Sequence, residues 1–417
     1  MSSNPPALPV SFHTRWVRFA AVAGPGLVVM LADTDAGSVV TAAQSGAAWG
    51  YKLLLLQLLL VPVLFVVQEL TVRLGIVSGK GHGELIAEHY GKGWAWFSVG
   101  TLIVACAGAL LSELGGLAGV GLLYGVPAWE TMTIVVGGLV IMALTGSYVT
   151  VERIAMAVGV FELVFLLVAW KAHPDAAGMA SGMLDVHRLP WRDSKYLYLV
   201  AANIGAVIMP WMVFYQQSAV VEKGLTMDDL SAARWDTAVG AVITQVIMAA
   251  VLVATAATLG VAHSGASLDT VQDIAKAITP FLGESTGKLM FGLGMTGSAL
   301  VATIVVTLTA ARALGEVCRV KHSLEYSPQE APWFYGIYAV ILVGAGALVA
   351  SGANIVQLSV GVQVVNAMLL PIVLGFLFLL ARKLPEAQRL KGSYAVVVAL
   401  IILLTAGLGV YGGITSF

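Results

Sequence analysis

The sequence predicts an all-α integral membrane protein of about eleven transmembrane helices, arranged as two five-helix repeats of opposite orientation plus one further helix. Three observations predict it. Of 417 residues, 59% are hydrophobic and 11% charged, against roughly 25% charged in a typical soluble domain. Apolar stretches of roughly 20 residues, the length that crosses a bilayer core about 30 Å thick, recur along the chain. Two of them, the first and the sixth, are interrupted by acidic or helix-breaking residues.

The same composition excludes other classes. A disordered chain needs high charge and few apolar residues. Two cysteines, Cys106 and Cys318, staple nothing in a chain of this length. A net charge of −1 leaves no basic excess for a nucleic-acid partner.

The stretches run at approximately 17–45, 53–76, 95–122, 132–150, 154–171, 196–221, 237–260, 288–311, 333–350, 354–381 and 394–415. The first follows a Pro-rich tail, 1–16, read as cytoplasmic. It is too long for a signal peptide, and Gly26 and an Asp pair interrupt it. The longest polar connections, 172–195, 261–287 and 312–332, are too short to form a separate domain. The whole chain, 1–417, therefore reads as one membrane transport domain: a first repeat over 17–171, a second over 196–381 and an added helix at 394–415. With the N-terminus inside, fifteen Lys and Arg fall on inner segments and seven on outer ones. That bias places the N-terminus in the cytoplasm, with the cell (inner) membrane the expected location.

The breaks point to function. The first stretch reads GPGLVVMLADTDAGSVVTAAQSG from Gly24 and sets Asp33 and Asp35 near mid-membrane. The sixth reads ANIGAVIMPWMVFYQQSAVV, with Gly205, Pro210 and the Gln216–Gln217 pair. Proline removes a donor and clashes with the preceding turn, so the helix opens there. Open backbone in a membrane is tolerated inside protein or beside a water-filled cavity. Interrupted helices at matching positions of two repeats mark a transporter's substrate site. The first and sixth helices lie five apart, and five is odd, so the repeats face opposite ways.

A carboxylate beside freed carbonyls makes a cation site. The candidates are Asp35, the Ser38 hydroxyl, the Ala206 carbonyl that Pro210 leaves unpaired and the Met209 thioether. Oxygen ligands suit Mg²⁺, Ca²⁺ and Mn²⁺, whereas sulfur favours Mn²⁺, Fe²⁺ or Cd²⁺. The alternative for Met209 is plain packing. Asp33 either faces the same cavity or hydrogen-bonds a helix end.

GPGLVVMLADTDAGSVVTAAQSGAAWGYKLLLLQLL resembles the first helix of the NRAMP divalent-metal transporters, where an Asp-Pro-Gly-Asn motif coordinates metal. RLGIVSGKG (Arg73 to Gly81) is similar to the end of that family's second helix, GAVIMPW to its Met-Pro-His motif and LSVGVQVVNAMLLPIV to its tenth helix. The resemblance implies the LeuT-type inverted repeat and a metal site of Asp35, Ser38, Ala206, Met209 and Gln363. It also aligns Glu113 with a glutamate of the third helix. Asn366, three residues after Gln363, shares its helical face. Three positions depart from the family pattern. Ser38 replaces the motif's asparagine, Trp211 replaces the histidine, and Leu110 stands where an aspartate implicated in proton movement is expected. These losses resemble the NRAMP-related magnesium transporters; Met209 argues for transition metals.

The expected function is divalent-cation transport, Mn²⁺ and/or Mg²⁺, by alternating access with weak or no proton coupling. One alternative is a proton-coupled Mn²⁺/Fe²⁺ importer; another is a sodium-coupled organic solute carrier on the same fold. No nucleophile–base constellation points to an enzyme. The expected partners are the metal ion, as substrate and not as a resident cofactor, and the lipid bilayer; no oligomeric state is read from the sequence. Glu69 and Glu162 are expected to bridge to a helix end or to an arginine such as Arg73 or Arg153. Gln245 and Asn203 are expected to be interhelical hydrogen-bond partners, and the seven histidines to lie in tails and loops.

Overall fold

A computed structural model describes residues 24–260, 268–279, 281–352 and 355–415. Among these, ten helical stretches are long and apolar enough to cross a membrane. One of them, Ala36–Ser78, turns at Gly50 (φ 59) through a short 3-10 turn and so holds two segments, which gives the eleven crossings expected.

The helices follow in chain order. The first crossing is α1 (Pro25–Asp33) with α2 (Ala36–Trp49), and the second is α3 (Leu54–Ser78). A short connector, α4 (His82–Tyr90), leads to α5 (Lys92–Leu123) and α6 (Ala128–Thr145). The fifth crossing is α7 (Tyr148–Gly159), a 3-10 turn at Val160–Leu163 and α8 (Val164–Lys171). After α9 (Ala176–Leu184) comes the sixth, α10 (Ser194–Val207) with α11 (Pro210–Glu222). Then follow α12 (Leu230–Thr255), a short α13 (Val271–Ile278), α14 (Glu284–Cys318), α15 (Pro332–Ala350), α16 (Ile355–Ala381) and α17 (Gly392–Thr415).

Packing separates inner from outer helices. α14 lies along α5, α10 is held between α16 and α17, and α12 runs beside α1, α2 and α3. The α10–α11 segment is almost wholly enclosed, whereas α6 and α17 leave Ile134, Ile141, Leu403 and Leu404 exposed. In a membrane those side chains meet lipid, which is as apolar as they are.

Several boundaries differ from the sequence expectation. The fourth and fifth crossings divide at Gly146–Ser147, not near residue 150, because Gly146 adopts extended backbone and the Ser147 side chain caps the next helix at the Thr150 amide. Hydrophobicity runs through this break, so composition alone does not locate it. α14 extends to Cys318, beyond the expected 311, because the buried Arg312 and Glu316 find partners within the protein. His82 and His89 lie on α4, not in a loop, and His82 is buried. The tail 1–16, with Arg15 and Arg18, falls outside the described residues.

Candidate metal site

Both expected breaks are present, and each is two residues long. α1 stops at Asp33, where the Thr34 amide turns back to the Leu31 carbonyl at 3.2 Å. Asp35 then caps α2, its Oδ1 accepting from the Ser38 amide at 2.6 Å. In the sixth crossing α10 ends at Val207, and α11 restarts at Pro210 after Ile208 and Met209. Pro210 has no N–H, so the Ala206 carbonyl lacks its helical partner. It accepts instead from the Ser38 hydroxyl at 3.0 Å. One side chain thus ties the two breaks together.

The tenth crossing closes the site. Gln363 on α16 points Nε2 at Asp35 Oδ1, 3.5 Å away, and its Oε1 accepts from Asn366 Nδ2 at 2.9 Å. Asn366 Oδ1 has no hydrogen-bond partner. If both amides turn over, Gln363 presents its oxygen toward Asp35 while its nitrogen meets Asn366 Oδ1. In that orientation an amide oxygen, not an N–H, faces Asp35.

Two glycines permit this approach. A Cβ on Gly37 would lie 2.3 Å from Gln363 Nε2, and one on Gly205 would lie 1.8 Å from the Gln363 carbonyl oxygen. Ser112 and Ser359 hydrogen-bond at 2.7 Å and join α5 to α16 beside Gly37. Sequence reading missed this pair, since lone serines carry no local signal.

Asp35 is fully buried, and its Oδ2 has no protein partner. Glu113 accepts from the Ala36 amide at 2.9 Å, so two carboxylates engage the start of α2, where the helix dipole favours negative charge. Leu110 is buried one turn earlier on α5. Met209 is fully buried, and its sulfur accepts from Trp211 Nε1 at 3.2 Å. The structure thus links Asp35, Ser38, Ala206 and Gln363 by direct contacts, with Asn366 behind Gln363 and Glu113 beside Asp35. Met209 and Trp211 pair with each other at the second break. Among the described residues, no three His, Cys, Asp or Glu side chains converge as a metal cluster. The arrangement instead sets the Asp35 carboxylate, with Glu113 beside it, among neutral oxygen and sulfur donors.

Other sequence expectations divide. Glu69 bridges to Arg73 and Arg234, each at 2.7 Å, and Asn203 bonds Gln57 and Ser45 across helices. Glu162 meets no arginine, because the 3-10 turn holds it inside the bundle. Gln245 is buried without a partner.

Eleven crossings with matched breaks in the first and sixth define a secondary transporter of the LeuT-type fold, not an enzyme. The model of the Natural resistance-associated macrophage protein-like family matches residues 26–415, and the chain belongs to that family. Its structure is similar to that of the Eremococcus coleocola manganese transporter in complex with an aromatic bis-isothiourea substituted compound. The TM-score is 0.76 at 17% identity, covering 96% of this chain and 87% of that one. Weaker likeness extends to MHP1, a nucleobase-cation-symport-1 family transporter, with TM-score 0.58, 14% identity and coverage of 94% and 90%. MhsT in complex with L-phenylalanine gives TM-score 0.58, 13% identity and coverage of 94% and 98%.

Proposed function

We propose that the chain transports a divalent metal cation, Mn²⁺ and/or Mg²⁺, by alternating access, with weak or no proton coupling. One observation carries this reading: a fully buried Asp35 with a free carboxylate oxygen, held between two broken helices. A bound cation stabilises a buried anion that has no cationic side chain beside it. The Ala206 carbonyl, the Ser38 hydroxyl and Gln363 supply the hard donors, and the Met209 sulfur admits softer ions. Family membership and likeness to a manganese transporter support the same substrate class.

The breaks also supply the moving parts. Because the backbone is already open at Thr34–Asp35 and at Ile208–Met209, α1 and α11 can tilt against α2 and α10 without breaking further helical bonds. The Ser38–Ala206 bond is then exchanged for bonds to the ion. The Lys and Arg bias supports an N-terminus in the cytoplasm, and the compact loops fit an inner-membrane protein.

Weak coupling rests on Leu110, which puts no proton acceptor at that position of α5, and on Trp211 in place of a histidine. Purified protein in liposomes should take up Mn²⁺ or Mg²⁺ with no matching fall in internal pH. Acidification in step with Mn²⁺ uptake would establish the proton-coupled Mn²⁺/Fe²⁺ importer instead. Failure to move either ion, together with sodium-dependent uptake of an organic solute, would favour the organic solute carrier.

A further inference from the structure

Two buried acids beside the first break have no role in the site described. Asp33, the last residue of α1, is 1% exposed, and neither of its carboxylate oxygens has a hydrogen-bond partner. Glu162 is fully enclosed, and its two oxygens are likewise without one. The acids come from different crossings. Glu162 sits in the 3-10 turn that interrupts the fifth, and such interruptions within long helices often mark functional positions. α14 packs closely on this turn: a Cβ on Gly297 would lie 2.9 Å from the Val158 carbonyl.

α7 packs on α1 just ahead of Glu162, where a Cβ on Gly159 would lie 2.7 Å from the Leu31 side chain, and Thr34, Asp33 and Asp35 are the groups that bear on Glu162 electrostatically. The Thr34 hydroxyl lies 2.6 Å from that of Thr244 on α12. Three crossings thus converge on one enclosed group of oxygens. Among the described residues, neither acid has a Lys, Arg or His partner. A buried, uncompensated pair of carboxylates is strongly unfavourable, so the pair either holds protons or exchanges them for charge of the opposite sign. Every donor here is oxygen, which suits a hard cation.

We propose that Asp33, Glu162 and the Thr34 and Thr244 hydroxyls form a second cation site, which takes a hard divalent ion such as Mg²⁺ or Mn²⁺ and relays it on the α1 side of Asp35. The proposal rests on Asp35 being the first site. A divalent ion balances both acids at once, and the two threonines offer it lone pairs. The ion moves from a mixed oxygen and sulfur shell to one of oxygen alone. The relay thus selects against soft cations after the first site has admitted them.

The test is equilibrium binding of Mn²⁺, with Mg²⁺ as competitor, to the purified full-length chain. The wild type should bind two Mn²⁺, the second at least tenfold more weakly. Glu162→Gln should keep the tighter step and lose the weaker, and Asp35→Asn should do the reverse. Thr244→Val, which changes no charge, should weaken only the second step, about fivefold. Unfolding midpoints check that each variant is folded. One Mn²⁺ in the wild type, with Glu162→Gln and Thr244→Val binding as the wild type does, would overturn the second site and leave the first standing. An unchanged tighter step in Asp35→Asn would overturn the first site instead.

Discussion

Replacing Asp35 by asparagine separates what this residue does for the fold from what it does for an ion. Its Oδ1 accepts from the Ser38 amide at 2.6 Å and lies 3.5 Å from Gln363 Nε2. An asparagine oxygen can take the same place, and asparagine caps helices about as well as aspartate, so loss of the cap should cost only a few tenths of a kcal/mol, about 0.3. Against that stands the removal of a fully buried charge whose second oxygen has no partner. Relieving an uncompensated buried charge is stabilising by about 1 kcal/mol or more. The unfolding midpoint of metal-free Asp35→Asn should therefore equal or exceed that of the wild type. Metal affinity should move the other way. Disturbing even a partner of a metal ligand typically costs 10–100-fold in affinity, so loss of the only charged ligand should cost at least about 100-fold, or about 2.7 kcal/mol. Titration calorimetry with Mn²⁺, beside a thermal melt of the same preparation, reads both quantities. A variant that binds Mn²⁺ within threefold of the wild type at the tighter step, or that melts well below it without metal, would refute the reasoning.

Met209→Ala should weaken Mn²⁺ and Cd²⁺ transport more than Mg²⁺ transport; equal losses for all three would mean that the sulfur serves only Trp211 and packing. Gly205→Ala should destabilise the protein by about 3 kcal/mol and stop uptake, because the added carbon meets the Gln363 carbonyl and the Ala367 amide, which are backbone and cannot rotate away. A Gly205→Ala variant with wild-type melting and transport would disprove that contact. His82 provides a pH test. Burial pushes its imidazole down to about 4 from an ordinary value near 6.5, while Gln217 Oε1 lies 2.8 Å from its Nδ1. The folded protein holds it neutral and the unfolded chain protonates it below 6.5, so its contribution is intact above 6.5 and is lost as pH falls toward 4. The loss reaches about 3 kcal/mol. Between pH 7 and 4.5, His82→Gln should lose less of its unfolding midpoint than the wild type; parallel losses would contradict the assignment.

The parts of the fold that were legible are those in which one residue forces one outcome. Pro210 cannot donate, so the sixth helix had to open there, and it does at Ile208–Met209. Asp33 and Asp35 in an apolar run called for a break in the first helix, and Thr34–Asp35 provide it. Apolar length alone recovered the crossings, yet it misplaced the division at Gly146–Ser147, since a glycine and a serine cap barely change local hydrophobicity.

What stayed hidden depends on partners distant in sequence. Nothing near Ser38 announces that its hydroxyl reaches the Ala206 carbonyl, 168 positions away, and nothing near Ser112 announces Ser359. Glu162 was misjudged for the same reason. A carboxylate in an apolar helix calls for a helix end or an arginine, but the 3-10 turn, against which α14 packs closely at Gly297, holds it inside the bundle beside the first crossing. The acids that local pairing explains, such as Glu69 with Arg73, hold the scaffold together. Those that local pairing cannot explain, Asp33, Asp35 and Glu162, gather where the first helix breaks, and unpaired acids inside a membrane bundle mark ion or proton pathways.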